Sequence, residues 1–327
     1  VEPLRVAGQP AEVVEALAGW LAAAEPPPLI VETSGSSGIP KRVVLPREAV
    51  LASARATARR LGGEGRWALA LPPTYVAGIQ VVVRSLLAGQ PPVVDGWGDA
   101  DYTSLVPTQL HRLLESEADV AALAAMRAVL LGGGPIDPAL RRRAEAAGVR
   151  VVATYGMAET SGGCVYDGHP LDGVGLAIGK GGRIRISGPM LFERYDGDPA
   201  ATEAALVDGW FLTSDAGRLD EDGRLHVLGR LDDVVVSGGV NVPTPTVAAR
   251  LREHPAVEDA AVVGVPDEEW GERVVAYVVG GLSREEVRAW VAEVHPRSWA
   301  PREVVTVDHL PLLPNGKLDR QALRDRP

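Results

Sequence analysis

The sequence predicts an α/β protein: a large N-terminal α/β domain with a β-rich continuation, residues 1–229, followed by a small C-terminal α+β domain, residues 230–327. Three observations carry this. From about residue 11 to residue 153, short apolar runs of strand length alternate with segments of helical period, the pattern of a largely parallel sheet flanked by helices. After about residue 160 the texture changes to short strands separated by Gly/Asp turns. After Arg230 a second, shorter alternation begins.

Taken in order, Ala11 to Ala24 reads as an amphipathic helix, with Val13, Val14, Leu17, Trp20 and Leu21 near helical spacing. Pro26-Pro27-Pro28 ends it. Leu29 to Glu32 is a buried strand, and Arg47 to Leu61 a second helix closed by Gly62-Gly63. Trp67 to Leu71 is a short strand leading through Pro72-Pro73-Thr74-Tyr75 into a helix from Ala77 to Ala88. The alternation continues to the strand Val149 to Ala153. The β-rich stretch holds strands at Gly182 to Ser187, Trp210 to Thr213 and Arg224 to Leu228, with a hairpin turn at Asp220-Glu221-Asp222-Gly223. The last unit reads as a strand (Asp233 to Ser237), a helix (Thr246 to His254), two strands (Ala260 to Val265, Glu272 to Val279) and a helix (Arg284 to Val294).

Composition narrows the function. Of the 327 residues 46% are hydrophobic, enough for a large core. A net charge of −10 argues against general nucleic-acid or membrane-surface binding, while leaving room for a local basic pocket. The single cysteine, Cys164, rules out an intrachain disulfide, fits a reducing cytoplasm and reads as structural. The longest apolar runs, such as Val81-Val82-Val83, fall far short of the roughly 18–20 residues a membrane span needs. The start carries no basic flank followed by an apolar stretch, so neither a leader nor membrane insertion is expected.

Five stretches bear chemistry. Thr33-Ser34-Gly35-Ser36-Ser37-Gly38-Ile39-Pro40-Lys41 packs four hydroxyls, two glycines and a lysine after a strand. Crowded backbone N–H groups, hydroxyl donors and a cation suit a polyphosphate; the plain alternative is a flexible polar loop. It is not a Walker A loop. Thr154 to Thr160 follows a strand, and ligands of open α/β sheets bind beyond the carboxyl ends of strands. There Tyr155 can stack on a base and Glu159 can hold a hard cation such as Mg²⁺, or the stretch is an ordinary strand-end loop. Asp215, acceptor-only when ionised, suits ribose hydroxyls, with Arg230 as a donor downstream; otherwise both are surface charges. Gly238-Gly239 permits close backbone approach by a ligand, or is a bulge or turn. Pro314-Asn315-Gly316 would hold Lys317 at a loop tip.

In this order and spacing, the five stretches resemble the ANL superfamily of acyl-adenylate-forming enzymes, from about residue 29 to residue 324. The matching motifs are T-S-G-S-S-G-x-P-K, Y-G-M-x-E-T, T-S-D-x-G-R-L-D with G-R-x-D-D, S-G-G-V-N-V and P-x-N-G-K-x-D-R. The resemblance implies two half-reactions: a carboxylic acid and Mg·ATP give acyl-AMP and pyrophosphate, and a thiol, usually of coenzyme A, then displaces AMP. It implies that residues 33–38 and Lys41 hold the β- and γ-phosphates, and that Gly132-Gly133-Gly134 and Tyr155 flank the adenine. Gly156, Met157 and Thr160 then belong to the same nucleotide site, Glu159 to Mg²⁺, and Asp215 and Arg230 to the ribose. Lys317 bridges the carboxylate and the α-phosphate. The small domain rotates about a hinge at Asp232 and exchanges Lys317 for the Gly238-Gly239 turn, which lines the pantetheine tunnel. Two departures stand out. Ala158 replaces the family's usual Thr, and most of the family's N-terminal subdomain is expected to be missing. Self-association as a homodimer stays open.

The acid is read from Arg84. It sits in the apolar run Gly78 to Gly89, where a buried unpaired charge costs several kcal/mol. Either it snorkels to water from a helix face, or it meets an anion, which a substrate with a second carboxylate supplies. L-P-P-T-Y-V-A-G-I-Q-V-V-V-R-S-L-L-A-G, Y-T-S-L-V-P-T-Q-L and V-V-S-G-G resemble the o-succinylbenzoate–CoA ligases of menaquinone biosynthesis, which place an Arg at this position. The resemblance implies 2-succinylbenzoate as the acid, with Tyr75, Ser161 and Gly162 joining Arg84 around it. Other aryl- or acyl-CoA ligases, a stand-alone adenylation domain and a non-catalytic nucleotide-binding protein are the competing readings.

Overall fold

Strands β1 (Leu4–Arg5), β2 (Leu29–Thr33) and β3 (Lys41–Leu45) begin a small sheet, with α1 (Pro10–Ala22) between the first two. Then come α2 (Arg47–Leu61), β4 (Trp67–Ala68), α3 (Val76–Leu87), β5 (Tyr102–Leu105), α4 (Pro107–Leu113), α5 (Glu117–Ala125), β6 (Ala128–Leu131), α6 (Pro138–Ala146), β7 (Val151–Met157), β8 (Gly162–Tyr166) and β9 (His169–Pro170). β4 to β9 form one six-stranded sheet in sequence order. β4, β5, β6 and β7 pair parallel, as the strand–helix alternation predicts, whereas β8 and β9 return antiparallel as a meander.

The chain continues through β10 (Gly175–Ile178), β11 (Arg183–Ser187), β12 (Arg194–Tyr195), α7 (Pro199–Ala205), β13 (Leu206–Val207), β14 (Trp210–Leu219) and β15 (Leu225–Arg230). β12 joins the small sheet against β3, giving the order β1-β2-β3-β12.

The computed structural model describes residues 2–33, 41–231, 234–311 and 318–325. Two units emerge: Val1–Ala177 with Arg185–Leu212 and Glu221–Leu225, and Ile178–Ile184 with Thr213–Asp220 and His226–Pro327. In the first, α1, α2 and α3 bury Leu17, Val50, Ile79 and Val83 against Val31, Val43 and Leu45 of the small sheet. A second cluster, including Leu105, Leu110, Leu123 and Leu131, seats α4 and α5 on the large sheet.

In the second unit, β16 (Val234–Ser237), β17 (Val240–Pro243), α8 (Thr244–Arg252), β18 (Val257–Asp267), β19 (Gly271–Gly280), α9 (Arg284–Ala292), β20 (Glu303–Thr306) and α10 (Arg320–Arg324) follow one another. Their sheet has the order β17-β16-β19-β18, with β20 parallel to β19. Val247, Leu251, Val287 and Val291 pack the helices α8 and α9 onto one core, with Val262, Val274 and Val278 from the sheet.

Candidate active site

Apolar residues on every side of α3 leave Gly78 to Ser85 buried without a break. Arg84 is therefore 7% exposed, which overturns the snorkelling alternative. Its guanidinium carbon lies 5.0 Å from the centre of the Trp67 ring, a cation–π contact. Its Nε has no hydrogen-bond partner, and no carboxylate among the described residues pairs with it. Burial lowers the Arg84 pKa, and the neighbouring Tyr166 hydroxyl opposes that shift. Arginine nonetheless stays protonated in proteins.

Arg84 borders a cavity of about 170 Å³ whose walls include Gln80, Gly132, Gly133, Thr154, Gly162 and Tyr166. The carboxyl ends of β5 and β6 supply Ser104, Leu105 and the glycines that follow Leu131, in keeping with ligand binding beyond strand ends. Gly156, Met157 and Gly163 also line it. Gln80 is 1% exposed; its Nε2 donates to the Val50 carbonyl at 3.2 Å, and its Oε1 has no partner.

The sequence pattern did not single out Gln80, Ser104 or Tyr166. Gln80 stands four residues before Arg84 on α3, a spacing that puts the two on one helix face. Tyr75 and Gly134, read as site residues, do not line this cavity: Tyr75 precedes α3 with its side chain turned outward, and the residue is 54% exposed. Ser161 also lies off it, because its hydroxyl turns away to donate to the Met190 carbonyl at 2.8 Å.

The Tyr155 stretch requires a correction. It was expected as a loop after the strand, but β7 runs on through Tyr155, Gly156 and Met157, pairing antiparallel with β8. Only Ala158, Glu159 and Thr160 leave the ladder, as one 3₁₀ turn. The Thr160 hydroxyl is buried within that turn: it accepts from the Met157 N–H at 2.9 Å and lies 2.7 Å from the Gly162 carbonyl. Glu159 is 9% exposed, and its Oε1 accepts the Tyr195 hydroxyl at 2.8 Å. Burial and the adjacent Glu159 carboxylate push the Tyr195 pKa up, so the phenol stays protonated as the donor. Lys41 Nζ stands 4.7 Å from the centre of the Tyr195 ring. Lys41 opens β3 directly opposite Thr33 at the end of β2, so the two ends of the hydroxyl-rich segment are neighbours across a ladder. Ser34, Gly35, Ser36, Ser37 and Gly38 lie outside the described residues, as do Asp232 and Lys317.

Glu159 can take part in holding a divalent cation. No group of three or more His, Cys, Asp or Glu residues is placed for a metal among the described residues. One buried carboxylate suits Mg²⁺, which keeps waters and substrate phosphates in its shell and does not require an all-protein cage. Cys164 is buried, and burial pushes its thiol up to about 12, so it is no nucleophile near neutral pH.

In the second unit, Asp215 Oδ1 and Arg230 Nη1 come to 3.9 Å, which brings the two residues read as ribose partners together. Gly238 and Gly239 form the two-residue turn between β16 and β17, with φ of 57° and 78°. Two central residues at positive φ make the tight hairpin turn that favours glycine.

The profile of the AMP-binding enzyme family matches residues 22–195, and that of the AMP-binding enzyme C-terminal domain matches residues 246–317. The chain belongs to the AMP-binding enzyme family. A probable 2-succinylbenzoate–CoA ligase of Mycobacterium tuberculosis is 46% identical over 319 residues, covering 90% of this chain and 83% of the relative. The 2-succinylbenzoate–CoA ligase of Geobacillus kaustophilus is 34% identical over 334 residues, covering 90% of this chain and 68% of the relative. Among solved structures, the o-succinylbenzoate CoA synthetase of Bacillus subtilis in complex with its acyl-adenylate intermediate superposes with a TM-score of 0.78 at 30% identity. That match covers 91% of this chain and 69% of the synthetase. The same synthetase with ATP and magnesium ion gives a TM-score of 0.77 at 29% identity over 91% of this chain and 70% of its own.

Proposed function

We propose that this chain is an AMP-forming acid–thiol ligase that activates 2-succinylbenzoate with ATP and passes the acyl group to coenzyme A, a step of menaquinone biosynthesis. The names of the relatives support the reaction class. The observation that supports the acid is Arg84, a buried cation bordering a cavity and paired with no carboxylate among the described residues. An unpaired buried charge costs several kcal/mol, so the site favours a ligand that brings an anion. In 2-succinylbenzoate the succinyl carboxylate reacts and the aromatic carboxylate remains to meet Arg84. A mono-acid aryl- or acyl-CoA ligase has no use for that residue.

In the first step a carboxylate oxygen bonds to the α-phosphorus of ATP, and the bond to the departing pyrophosphate breaks. Residues 33–38 and Lys41 hold the departing phosphates, and Lys317 offsets charge developing between carboxylate and α-phosphate. When bound, Mg²⁺ neutralises phosphate charge, with Glu159 as its protein ligand. Gly132-Gly133-Gly134 and Tyr155 flank the adenine, while Asp215 and Arg230 hold the ribose. In the second step the coenzyme A sulfur attacks the acyl carbon and AMP leaves. Asp232 is the hinge that exchanges Lys317 for the Gly238-Gly239 turn between the steps, with the functional division near residue 230.

Pyrophosphate release tests this with ATP, coenzyme A and a panel of acids. Release with 2-succinylbenzoate, lost by on the order of 100-fold or more in Lys317→Ala, is expected. No release with any acid would sink the ligase reading, and release unaffected by Lys317→Ala would sink its assigned role.

A further inference from the structure

We propose that Tyr166 is a further specificity-determining residue: its hydroxyl donates to the aromatic carboxylate beside Arg84, and Thr57 holds that hydroxyl in place. The proposal rests on the reading of 2-succinylbenzoate as the acid.

Tyr166 is the last residue of β8, is 1% exposed and forms part of the cavity wall. A tyrosine so deep in a core is expected to satisfy its hydroxyl. Its Oη lies 2.9 Å from Thr57 Oγ1 on α2, and either atom could donate. The hydrogen-bond count decides between them. Thr57 is fully buried and has no other hydrogen-bond partner among the described residues. If Tyr166 donated, the buried Thr57 proton would be left without an acceptor, which is costly. If Thr57 donates, the one hydroxyl proton of the pair that is left over is that of Tyr166. A phenol oxygen has two lone pairs and one proton. One lone pair takes Thr57, the Arg84 guanidinium stands close enough to interact with the hydroxyl, and the proton is left for the cavity. The phenol proton and the Arg84 fork thus converge where an acceptor-only group fits, and a carboxylate can accept from both.

The local sequence makes room for this ring. A Cβ on Gly163 would stand 2.9 Å from Tyr166 Cε1, closer than a side-chain atom tolerates. Gly163 therefore leaves the space that the Tyr166 ring occupies. The antiparallel turn-back of β8 on β7 places both residues on the cavity wall.

The test is Tyr166→Phe, which keeps the ring and removes only the hydroxyl, assayed with two acids. One is 2-succinylbenzoate; the other is 4-oxo-4-phenylbutanoate, the same skeleton without the aromatic carboxylate. Where turnover of the second acid is slow, its Kd is measured by titration calorimetry. Loss of one charge-assisted hydrogen bond predicts a rise in KM for the diacid of on the order of tenfold, with kcat changed less than about threefold. The constant for the mono-acid should hold within about twofold. Thr57→Val tests the same hydroxyl from its other side, with a smaller rise of about threefold expected for the diacid alone. Equal rises for both acids would mean a merely structural role, and no rise for either would mean no contact; both outcomes overturn the proposal. A wild-type protein that does not turn over 2-succinylbenzoate overturns the assignment of the acid itself, a failure visible before any variant is made.

Discussion

One hydrogen bond orients Glu159. With Oε1 taken by the Tyr195 hydroxyl at 2.8 Å, the carboxylate is fixed in rotation, and Oε2 is the oxygen available to a cation. Partners of this kind that orient a metal-binding group are worth roughly 10–100-fold in metal affinity. Tyr195→Phe should therefore weaken Mg²⁺·ATP binding by about that factor while hardly changing the affinity for metal-free ATP. Titration calorimetry with and without Mg²⁺ checks this, and equal binding by both proteins would remove Tyr195 from the role. Legibility differs sharply between neighbouring residues of the site. Arg84 was visible in the sequence because a charge inside an apolar helical run is a physical anomaly. Tyr166 was not, because a tyrosine closing the apolar run Cys164-Val165-Tyr166 looks like ordinary strand. Only the pairing of β8 with β7 and the contact with Thr57, 109 positions earlier, give it meaning.

At the level of elements, the strand–helix alternation from α1 to β7 was legible because periods of 2 and 3.6 residues write themselves into the apolar pattern. The ends were less so. Trp67 to Leu71 shrinks to a two-residue strand, since only Trp67 and Ala68 pair with β5. β7 instead outgrows its apolar run because a new partner, β8, extends the ladder through Tyr155 to Met157. Propensity cannot announce a partner that arrives from further along the chain. Helix starts with side-chain caps were plainer. Ser283 Oγ accepts the Glu286 N–H at 3.3 Å, and Glu286 Oε2 accepts the Ser283 N–H at 2.9 Å, a reciprocal box that opens α9. Ser283→Ala should cost about 1 kcal/mol of stability, read as a lower denaturation midpoint. Pyrophosphate release should stay unchanged; an unshifted midpoint would show that the cap contributes nothing.

At the scale of the whole chain, two sets of cores coexist without sharing residues. The clusters around Leu17 and Leu105 belong to the first unit, and those around Leu251 and Tyr277 to the second. The residues read as nucleotide and acid contacts follow that split. Lys41, Arg84, the Gly132-Gly133 pair and Glu159 fall in the first unit, and Asp215, Arg230 and the Gly238-Gly239 turn in the second. That five short motifs spread over the length of the chain should serve one chemistry was implied by the resemblance that their order and spacing carry. What the order could not give was the depth of Arg84 or the absence, among the described residues, of a carboxylate paired with it, and on these the choice of acid depends. No described helix is long and apolar enough to cross a membrane. The most direct measurement compares kcat/KM for 2-succinylbenzoate with that for 4-oxo-4-phenylbutanoate in the wild type, Arg84→Ala and Arg84→Lys. The wild type should prefer the diacid, and removing one partner of a buried charge pair should cut that preference by on the order of 100-fold in Arg84→Ala. Arg84→Lys, which keeps the charge but loses the planar fork, should fall in between. A preference for the diacid that survives both substitutions would contradict the claim that Arg84 selects the substrate.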